Sequence, residues 1–319
     1  MSSRRWRELK HLRLALLLFL AFLLISSPIL SADSGRIIST IKTKGATRSL
    51  LIRDEYAFIG ARDGLGIVDI SDVDKPKIIC EIKLKGEVLG ISISGNTLFA
   101  AVHTTGLAII DVSHPEFPQV KKVYDIKAEI LNVLAAGSLA YVASGRGLII
   151  LDISDKYSPR EIGLFETESA VYDICINGDW AYILDNSCVE EYQGRLYAVD
   201  ISDPRHPKPG SQLDLPFPMK VVAVDNYLYV ADGGLYVFDI SAPSQPKKCK
   251  AIFTGDIQQD LAIDQTNLFV VEKKGLHIFD ITNPKEPVKV NSLTIPDSSY
   301  RISVRDQNVF IANYYEGLL

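Results

Sequence analysis

One phrase of eight residues recurs six times along this 319-residue chain and constrains its fold more than any other feature. The second copy reads Gly106-Leu-Ala-Ile-Ile-Asp-Val-Ser113. Every copy places an Asp two residues before a Ser or Thr, and a Pro follows five residues later. The repeated aspartates are Asp69, Asp111, Asp152, Asp200, Asp239 and Asp280, spaced 39 to 48 residues apart. Such a period predicts that each copy is one unit of a repeat protein.

Each unit has the pattern of four short strands, which we designate A to D in chain order. In the first unit they are predicted at residues 50–53, 56–61, 65–70 and 77–82. Gly95-Asn96 and equivalent pairs between strands A and B are typical of hairpin turns. Strand C is apolar at nearly every position, which indicates burial on both faces. Four-stranded units of near-equal length are typical of β-propeller blades.

The unit count predicts how the ring closes. Six units are complete, and a seventh has strands A and B at residues 301–304 and 309–313 and begins strand C at Gly317. The strand D missing from this unit is predicted at the other end of the chain, over Arg36–Ile41. We therefore expect an all-β, seven-bladed β-propeller over residues 36–319, with four-stranded blades and an N-terminal strand that completes the last blade. This overlap removes exposed strand edges.

The repeated phrase also resembles a known family. Leu65–Ser71, and Leu235–Ser241 followed by Pro243 and Pro246, are similar to the LVIVD repeat of bacterial and archaeal envelope proteins. The resemblance covers roughly residues 37–319. It implies an exported or surface-associated β-propeller, and it implies no established enzyme activity and therefore no catalytic residue.

The first 32 residues have the organisation of a secretory signal. Basic residues between Arg4 and Arg13 precede the unbroken apolar run Leu14–Ile25, and Leu30-Ser31-Ala32 offers a cleavage site. The alternative is an uncleaved anchor over Leu14–Leu30, at the lower limit of a membrane-spanning length. In either case we expect the propeller to be extracytoplasmic, with membrane contact only through this segment.

The charge of the remaining chain excludes some partners. The whole chain has 34 basic and 39 acidic residues, of which five basic and one acidic lie in residues 1–32, so the rest has 29 and 38 and a net charge of −9. Nucleic acid requires a basic face, and so does anionic lipid. We expect neither as a partner.

The repeat aspartates are interpreted as structural. An Asp two residues before a Ser, followed by x-Pro-x-x-Pro, is turn chemistry in which short polar side chains bind backbone N–H groups. The histidines show no metal-ligand spacing, so neither a metal nor a cofactor is predicted. Cys175 and Cys188 are the one candidate disulfide pair, whereas Cys80 and Cys249 are expected to be free thiols.

Two variable places are candidates for function. One is the start of strand A, which in a propeller faces one mouth of the central channel. The candidate ligand-binding residues there are Tyr172, Asp173, Lys220, Asp260, Tyr300 and Arg301. The other is an insertion between strands B and C of the fourth unit, at Asn186–Gln193. Loops on a rigid scaffold often bind ligands.

We conclude from the sequence that the chain is a non-catalytic interaction scaffold of the cell envelope, which displays variable loops to a protein or surface-polymer partner. The alternative is an enzyme or a receptor for a small ligand or glycan, in which Asp173 and Asp260 act as acid and base or bind a cation. Carboxylates that converge across the channel would favour hydrolysis of a glycan. Carboxylates that are separated and held in salt bridges would favour a scaffold.

Overall fold

The blades form because each four-strand unit pairs only with itself. The computed structural model describes residues 36–43, 45–187 and 193–319, and Arg36–Leu319 forms one compact unit. In the described residues the strands build seven antiparallel sheets in chain order, and there is no helix. The predicted all-β, seven-bladed propeller is confirmed.

The strands of the first four blades are bounded as follows. Blade 1 contains β1 (Thr47–Arg53), β2 (Tyr56–Ala61), β3 (Gly64–Asp69) and β4 (Lys77–Lys83). Blade 2 contains β5 (Val88–Ser94), β6 (Thr97–Val102), β7 (Gly106–Asp111) and β8 (Gln119–Tyr124). Blade 3 contains β9 (Ile130–Ala136), β10 (Leu139–Ser144), β11 (Gly147–Asp152) and β12 (Arg160–Glu166). Blade 4 contains β13 (Val171–Asn177), β14 (Trp180–Ser187), β15 (Gln193–Asp200) and β16 (Lys208–Leu215).

The last three blades follow the same plan. Blade 5 contains β17 (Lys220–Val224), β18 (Tyr227–Ala231), β19 (Leu235–Asp239) and β20 (Lys247–Ile252). Blade 6 contains β21 (Gln258–Asp264), β22 (Asn267–Glu272), β23 (Gly275–Asp280) and β24 (Val288–Thr294). Blade 7 contains β25 (Ser299–Arg305), β26 (Asn308–Asn313) and β27 (Gly317–Leu318).

The ring is held together by apolar packing between blades. The A strands contact one another in sequence, and β25 of blade 7 contacts β1 of blade 1, so the circle is closed. In the described part of the chain, seven apolar clusters occupy the seven junctions between blades. Strand C is buried on both faces as predicted, for example throughout Gly106–Ile110, whereas strand D of the same blade is largely exposed. Burial of both faces explains why the repeated phrase is so uniformly apolar.

Blade 7 closes as predicted, but with less pairing than predicted. Ile41 forms two backbone hydrogen bonds with Leu318, at 2.9 and 3.0 Å, as an isolated antiparallel bridge. The expected strand over Arg36–Ile41 is wrong in extent, because Arg36–Thr40 is not in a strand. Strand C of this blade, β27, has two residues, and the pairing with the N-terminal segment is the single bridge at Leu318.

The glycine that opens strand C shows that blade 7 keeps the geometry of the other blades. A β-carbon at Gly147, whose φ is +118°, would collide with the carbonyl oxygen of Phe165 in strand D. Gly317 has a φ of +93°, and a β-carbon there would collide with the carbonyl oxygen of Ile41. Ile41 therefore takes the place of a strand D residue. Glycine is required here because it tolerates both the positive φ and the close approach.

The predicted signal or anchor at residues 1–32 lies outside the described residues. Within the described ranges, no helix is long and apolar enough to span a membrane.

Substituting Ile41 tests the closure. Ile41→Pro removes the N–H that donates to the Leu318 carbonyl, and loss of that bond should destabilise the fold by about 2 kcal/mol. This corresponds to a Tm lower by several degrees in differential scanning calorimetry. Ile37→Pro is the matched control, because Ile37 belongs to no described strand. Equal Tm values for the two variants would contradict the closure.

Candidate functional site

The channel mouth is formed where each strand A begins. Because the strands alternate in direction, the B–C loops and the connections from strand D to the next strand A all lie at this end, which we call the upper face. Strand A has a β-bulge here: in blade 4, Val171 pairs with Asp185 and Asp173 pairs with Leu184, which places Tyr172 at the bulge. Bulges redirect a side chain, and they are frequent next to functional sites.

Strand A has this bulge in every blade except blade 5, and the residue that follows the bulge lies at the same level as Lys220, the first residue of β17, so one residue of each blade occupies this level. These seven residues, which we call the mouth ring, are Ser49, Gly90, Asn132, Asp173, Lys220, Asp260 and Arg301. The structure thus places Asp173, Lys220, Asp260 and Arg301 together, as expected from their alignment. All four charged members belong to blades 4–7.

Asp173 is fully engaged within the protein. Asp173 is only 3% exposed. Its Oδ2 accepts a hydrogen bond from the backbone N–H of Val221 in the next blade at 2.9 Å. Oδ1 accepts from Asn132 Nδ2 of the preceding blade at 2.8 Å and from Lys220 Nζ at 3.1 Å. Asp173 therefore connects three consecutive blades.

Asp260 repeats the pattern two blades further on. Its Oδ2 accepts the N–H of Ile302 in blade 7 at 2.9 Å, and its Oδ1 lies 3.9 Å from Lys220 Nζ. Burial raises the pKa of Asp260, although Lys220 and Arg301 act in the opposite direction. Burial alone would lower the pKa of Lys220, but the two carboxylates outweigh it, and the pKa of Lys220 is raised. The ammonium group of Lys220 is therefore held charged between Asp173 and Asp260.

The geometry of Asp173 and Asp260 bears on the choice between a catalytic pair and a structural pair. Asp173 and Asp260 do converge, but on the ammonium of Lys220, and both are also bound to backbone N–H groups. The place that a bound cation would take is filled by Lys220. The two carboxylates differ in one respect: both oxygens of Asp173 accept hydrogen bonds, whereas Asp260 Oδ1 is buried, accepts none from the described residues and lies 3.9 Å from Lys220 Nζ. Arg301 in turn donates to the carbonyl oxygen of Tyr300 at 2.9 Å.

Three more buried carboxylates lie at the upper end of strand B, where we predicted no site. Asp185 accepts from the Tyr197 hydroxyl at 2.9 Å, Asp232 accepts the N–H of Phe217, and Glu272 lies 3.2 Å from His277 Nε2. Burial raises the pKa of Asp185 and of Asp232. The sequence signal was weak, because the equivalent residues of blades 1 and 2 are Ala61 and Val102.

The repeat aspartates lie at the opposite end of the blades, where strand C ends. Each accepts the backbone N–H of the Ser or Thr two residues later, at 2.7 to 3.0 Å. Hydrogen bonds from this Ser or Thr lower the pKa of all six aspartates, and that of Asp152 falls to about 2. This is the local turn geometry that the spacing Asp-x-Ser favours.

Exposed apolar side chains are distributed unevenly over the upper face. Tyr172, Phe253, Ile257 and Tyr315 are exposed there, and all four belong to blades 4–7 or to the connection between blades 5 and 6. In the described upper loops of blades 1–3 no large apolar side chain is exposed. The charged members of the mouth ring and the exposed apolar groups therefore share one side of the molecule.

The cysteines do not add a site. Cys175 is a free thiol, so its predicted pairing with Cys188 is not formed, and Cys188 itself lies outside the described residues. Burial raises the pKa of Cys175 to about 12, which keeps the thiol protonated and unreactive. Cys80 and Cys249 are free as expected.

Among the described residues, no cluster of three or more His, Cys, Asp or Glu side chains is arranged to hold a metal ion. Residues 188–192 of the predicted insertion also lie outside the described residues.

The fold and the repeated turn define a repeat-built β-propeller, and the family follows from the sequence. The LVIVD repeat profile matches residues 44–81, 85–126, 131–167, 170–209, 219–251 and 257–294, one match in each of blades 1–6. The chain belongs to the LVIVD repeat family. Among curated protein sequences, none matches it.

Solved structures share the fold at low sequence identity. The chain is similar to the β-propeller domain of Cps50 (Swd1) from Myceliophteria thermophila, with a TM-score of 0.68 and 12% identity, covering 88% of this chain and 96% of that one. It is similar to the periplasmic gluconolactonase PpgL of Pseudomonas aeruginosa, with a TM-score of 0.65, 12% identity and coverage of 76% and 83%. It is also similar to BamB from Moraxella catarrhalis, with a TM-score of 0.61, 12% identity and coverage of 89% and 98%. At these identities the likeness extends to the fold alone.

Removing Lys220 should destabilise the propeller. Lys220→Met leaves two buried carboxylates without their cation, and breaking a buried ion pair from one side costs about 3 kcal/mol. The control is Lys121→Met, which removes a 3.5 Å ion pair between the exposed Lys121 and the half-buried Asp111 and should change stability by less than about 1 kcal/mol. Chemical denaturation measures both. Equal stability of the two variants would show that the Lys220 pairs do not hold the blades together.

Stability should pass through a maximum at mildly acidic pH. The pKa values of the repeat aspartates are lowered on folding, so their contribution is present above their ordinary pKa of 3.8 and is lost as the pH falls toward about 2. The pKa values of Asp185, Asp232 and Asp260 are raised on folding. Protonation of these groups therefore favours the folded state, so their contribution to stability increases as the pH falls from neutral. We expect Tm to rise slightly below neutral pH and to fall steeply below pH 4. Asp152→Asn keeps an acceptor oxygen but cannot titrate, so it should flatten the acidic fall; a Tm independent of pH would contradict this account.

Proposed function

We propose that this chain is a non-catalytic binding scaffold of the cell envelope, which presents the upper face of blades 4–7 to a protein partner. The observation that carries the proposal is the concentration of exposed Tyr172, Phe253 and Ile257 on one side of a rigid ring. Aromatic anchors of this kind dominate the binding energy of protein interfaces. A surface-polymer partner is the other occupant that the sequence suggested for this face.

The state of the mouth-ring carboxylates supports a role without catalysis. A general acid or base needs a proton that it can exchange with substrate. Asp173 and Asp260 instead accept backbone N–H groups and share the ammonium of Lys220. The fold itself does not distinguish a binding scaffold from an enzyme, because a gluconolactonase is also among the similar propellers. The proposal therefore depends on how these side chains are used.

The compartment is part of the proposal. The basic start and the apolar run Leu14–Ile25 have the order of an export signal. The LVIVD resemblance implies an exported or surface-associated protein, and the net charge of −9 over residues 33–319 is compatible with display away from anionic lipid. Alkaline phosphatase fused after Leu319 should be active if the propeller is exported and inactive if it is not.

The docking surface is tested with two exposed phenylalanines. Phe253 lies on the upper face and is 72% exposed, whereas Phe117 lies on the opposite face and is 75% exposed, so the two are matched in residue type and exposure. Cross-linking in native envelopes identifies a candidate partner, which is then purified for affinity measurement. Phe253→Ala should weaken its binding by at least about tenfold, equivalent to about 1.4 kcal/mol, and Phe117→Ala should leave it unchanged.

Two results would contradict the proposed face. One is an equal affinity for the Phe253→Ala and Phe117→Ala variants. The other is a set of cross-links confined to the opposite face.

A further inference from the structure

Three tyrosines and an arginine form a cluster on the upper face, where blade 7 meets blade 1. The ring centroid of Tyr314 lies 6.0 Å from that of Tyr300 and 4.9 Å from that of Tyr315, both edge to face. The Arg48 guanidinium lies over the Tyr314 and Tyr300 rings, 5.1 and 5.8 Å from their centroids. Arg48 and Tyr300 occupy the equivalent bulge position of neighbouring blades. We call Arg48, Tyr300, Tyr314 and Tyr315 the tyrosine cluster.

The loop that carries Tyr315 is fixed from below. Asn313 is fully buried, and its Oδ1 accepts the N–H groups of Tyr315 and Glu316 at 3.0 and 2.9 Å. The Asn313 Nδ2 group donates to the carbonyl oxygen of Asp297 at 2.9 Å, and Tyr314 N–H donates to the Ser298 carbonyl at 2.9 Å. Tyr315 itself is 65% exposed. A rigid loop that presents an open aromatic ring loses little conformational entropy when a ligand binds.

Arg48 and Glu87 have polar atoms that can bind a ligand. The Arg48 Nε donates to Glu87 Oε1 at 2.6 Å, and cation–π contacts with Tyr300 and Tyr314 restrain the position of the guanidinium. In the described part of the chain, the terminal nitrogens of Arg48 and the second oxygen of Glu87 have no hydrogen-bond partner. The side chains of Arg48 and Glu87 are 34% and 26% exposed, respectively. The cluster thus offers donors and an acceptor beside an aromatic surface.

The combination of groups selects the chemistry of the ligand. An anionic polymer would meet the Glu87 carboxylate and the net negative charge of the propeller, and a cationic ligand would meet Arg48. A purely apolar segment would cover both charged groups without replacing their bonds to water. A neutral sugar fits all three groups of the cluster. Its hydroxyl groups accept hydrogen bonds from Arg48 and donate to Glu87, while its C–H face packs on Tyr315.

We propose that the tyrosine cluster is a binding subsite for a hexopyranose unit of a neutral glycan. The subsite is separate from the Phe253 surface, and it requires no chemistry on the sugar. It gives the scaffold a means of attachment to a polysaccharide or to a glycosylated protein. These two sources share the same sugar chemistry and differ in whether the free oligosaccharide alone is bound.

The experiment is isothermal titration calorimetry of the full chain with defined probes. Three neutral tetrasaccharides, cellotetraose, maltotetraose and chitotetraose, are compared with tetragalacturonate as an anionic probe and with decaproline as a peptide probe. We expect at least one neutral tetrasaccharide to bind at millimolar or lower concentration, and tighter than tetragalacturonate. Binding of the free tetrasaccharide supports a polysaccharide ligand. Binding only of the same sugar attached to a protein supports a glycoprotein.

Variants place the binding on the cluster. Tyr315→Ala should weaken sugar binding by at least about tenfold. Arg48→Lys keeps the charge but loses the planar fork, so it should weaken binding by about fivefold or more. Phe117→Ala on the opposite face should bind as the unmodified protein does. Because Tyr315 is exposed, its removal should leave Tm unchanged, which separates loss of binding from loss of folding.

Several results would overturn the subsite. These are no binding of any neutral sugar, free or attached to protein; equal binding by Tyr315→Ala; or tighter binding of tetragalacturonate. Binding of decaproline that depends on Tyr315 would assign the cluster to a proline-rich peptide instead. Failure of the sugar test leaves the Phe253 surface intact, and failure of the Phe253 test leaves the sugar subsite intact, so the two proposals fail separately.

Discussion

The upper end of the ring depends on a hydrogen bond that a backbone N–H donates to an inner-strand carboxylate of the preceding blade. Asp173 makes it to Val221, and Asp260 makes it to Ile302, in each case at 2.9 Å. Strand A is the inner edge of its sheet, so some of its N–H groups find no partner within the blade. A buried N–H without a partner is costly. The carboxylates supply that partner, and in doing so they fix blade 4 against blade 5 and blade 6 against blade 7.

This constraint separates structure from function at the channel mouth. Charged residues in a concave site usually suggest chemistry. Here Lys220 forms ion pairs with both carboxylates, and each carboxylate also accepts a backbone N–H of the next blade, so the mouth is held rigid. A rigid mouth in turn holds the bulge residues in place, and Arg48 and Tyr300 meet across the junction between blades 7 and 1 because both occupy that position.

The fold could be predicted from the sequence because its determinants are repeated. The position of Asp111, and the apolar run before it, recur in six units at intervals of 39 to 48 residues, so each copy supports the others. The length of pairing by Arg36–Ile41 could not be predicted, because it depends on how much of strand C the last blade has. A strand pattern carries no information on the length of its partner.

The site was less predictable because its residues are not repeated. Alignment placed Asp173 at the channel mouth, but its main partner is a backbone N–H of Val221, which no side-chain pattern reveals. Glu272 was missed because the equivalent residue is Ala61 in the first blade. Tyr314 and Tyr315 follow the last complete unit, so no repeat position drew attention to them. Their significance comes from the ring, which brings blade 7 beside Arg48.

Amide hydrogen exchange of Val221 and Ile302 tests the central claim most directly. These N–H groups lie on inner strands, where the carboxylate is the hydrogen-bond partner that protects each of them from exchange. If the carboxylates hold them, both should exchange as slowly as the amides of buried strand C, and Asp173→Ala should release Val221 alone. Rapid exchange of both amides in the unmodified protein would contradict the account, because the mouth-ring carboxylates would then be free for another role.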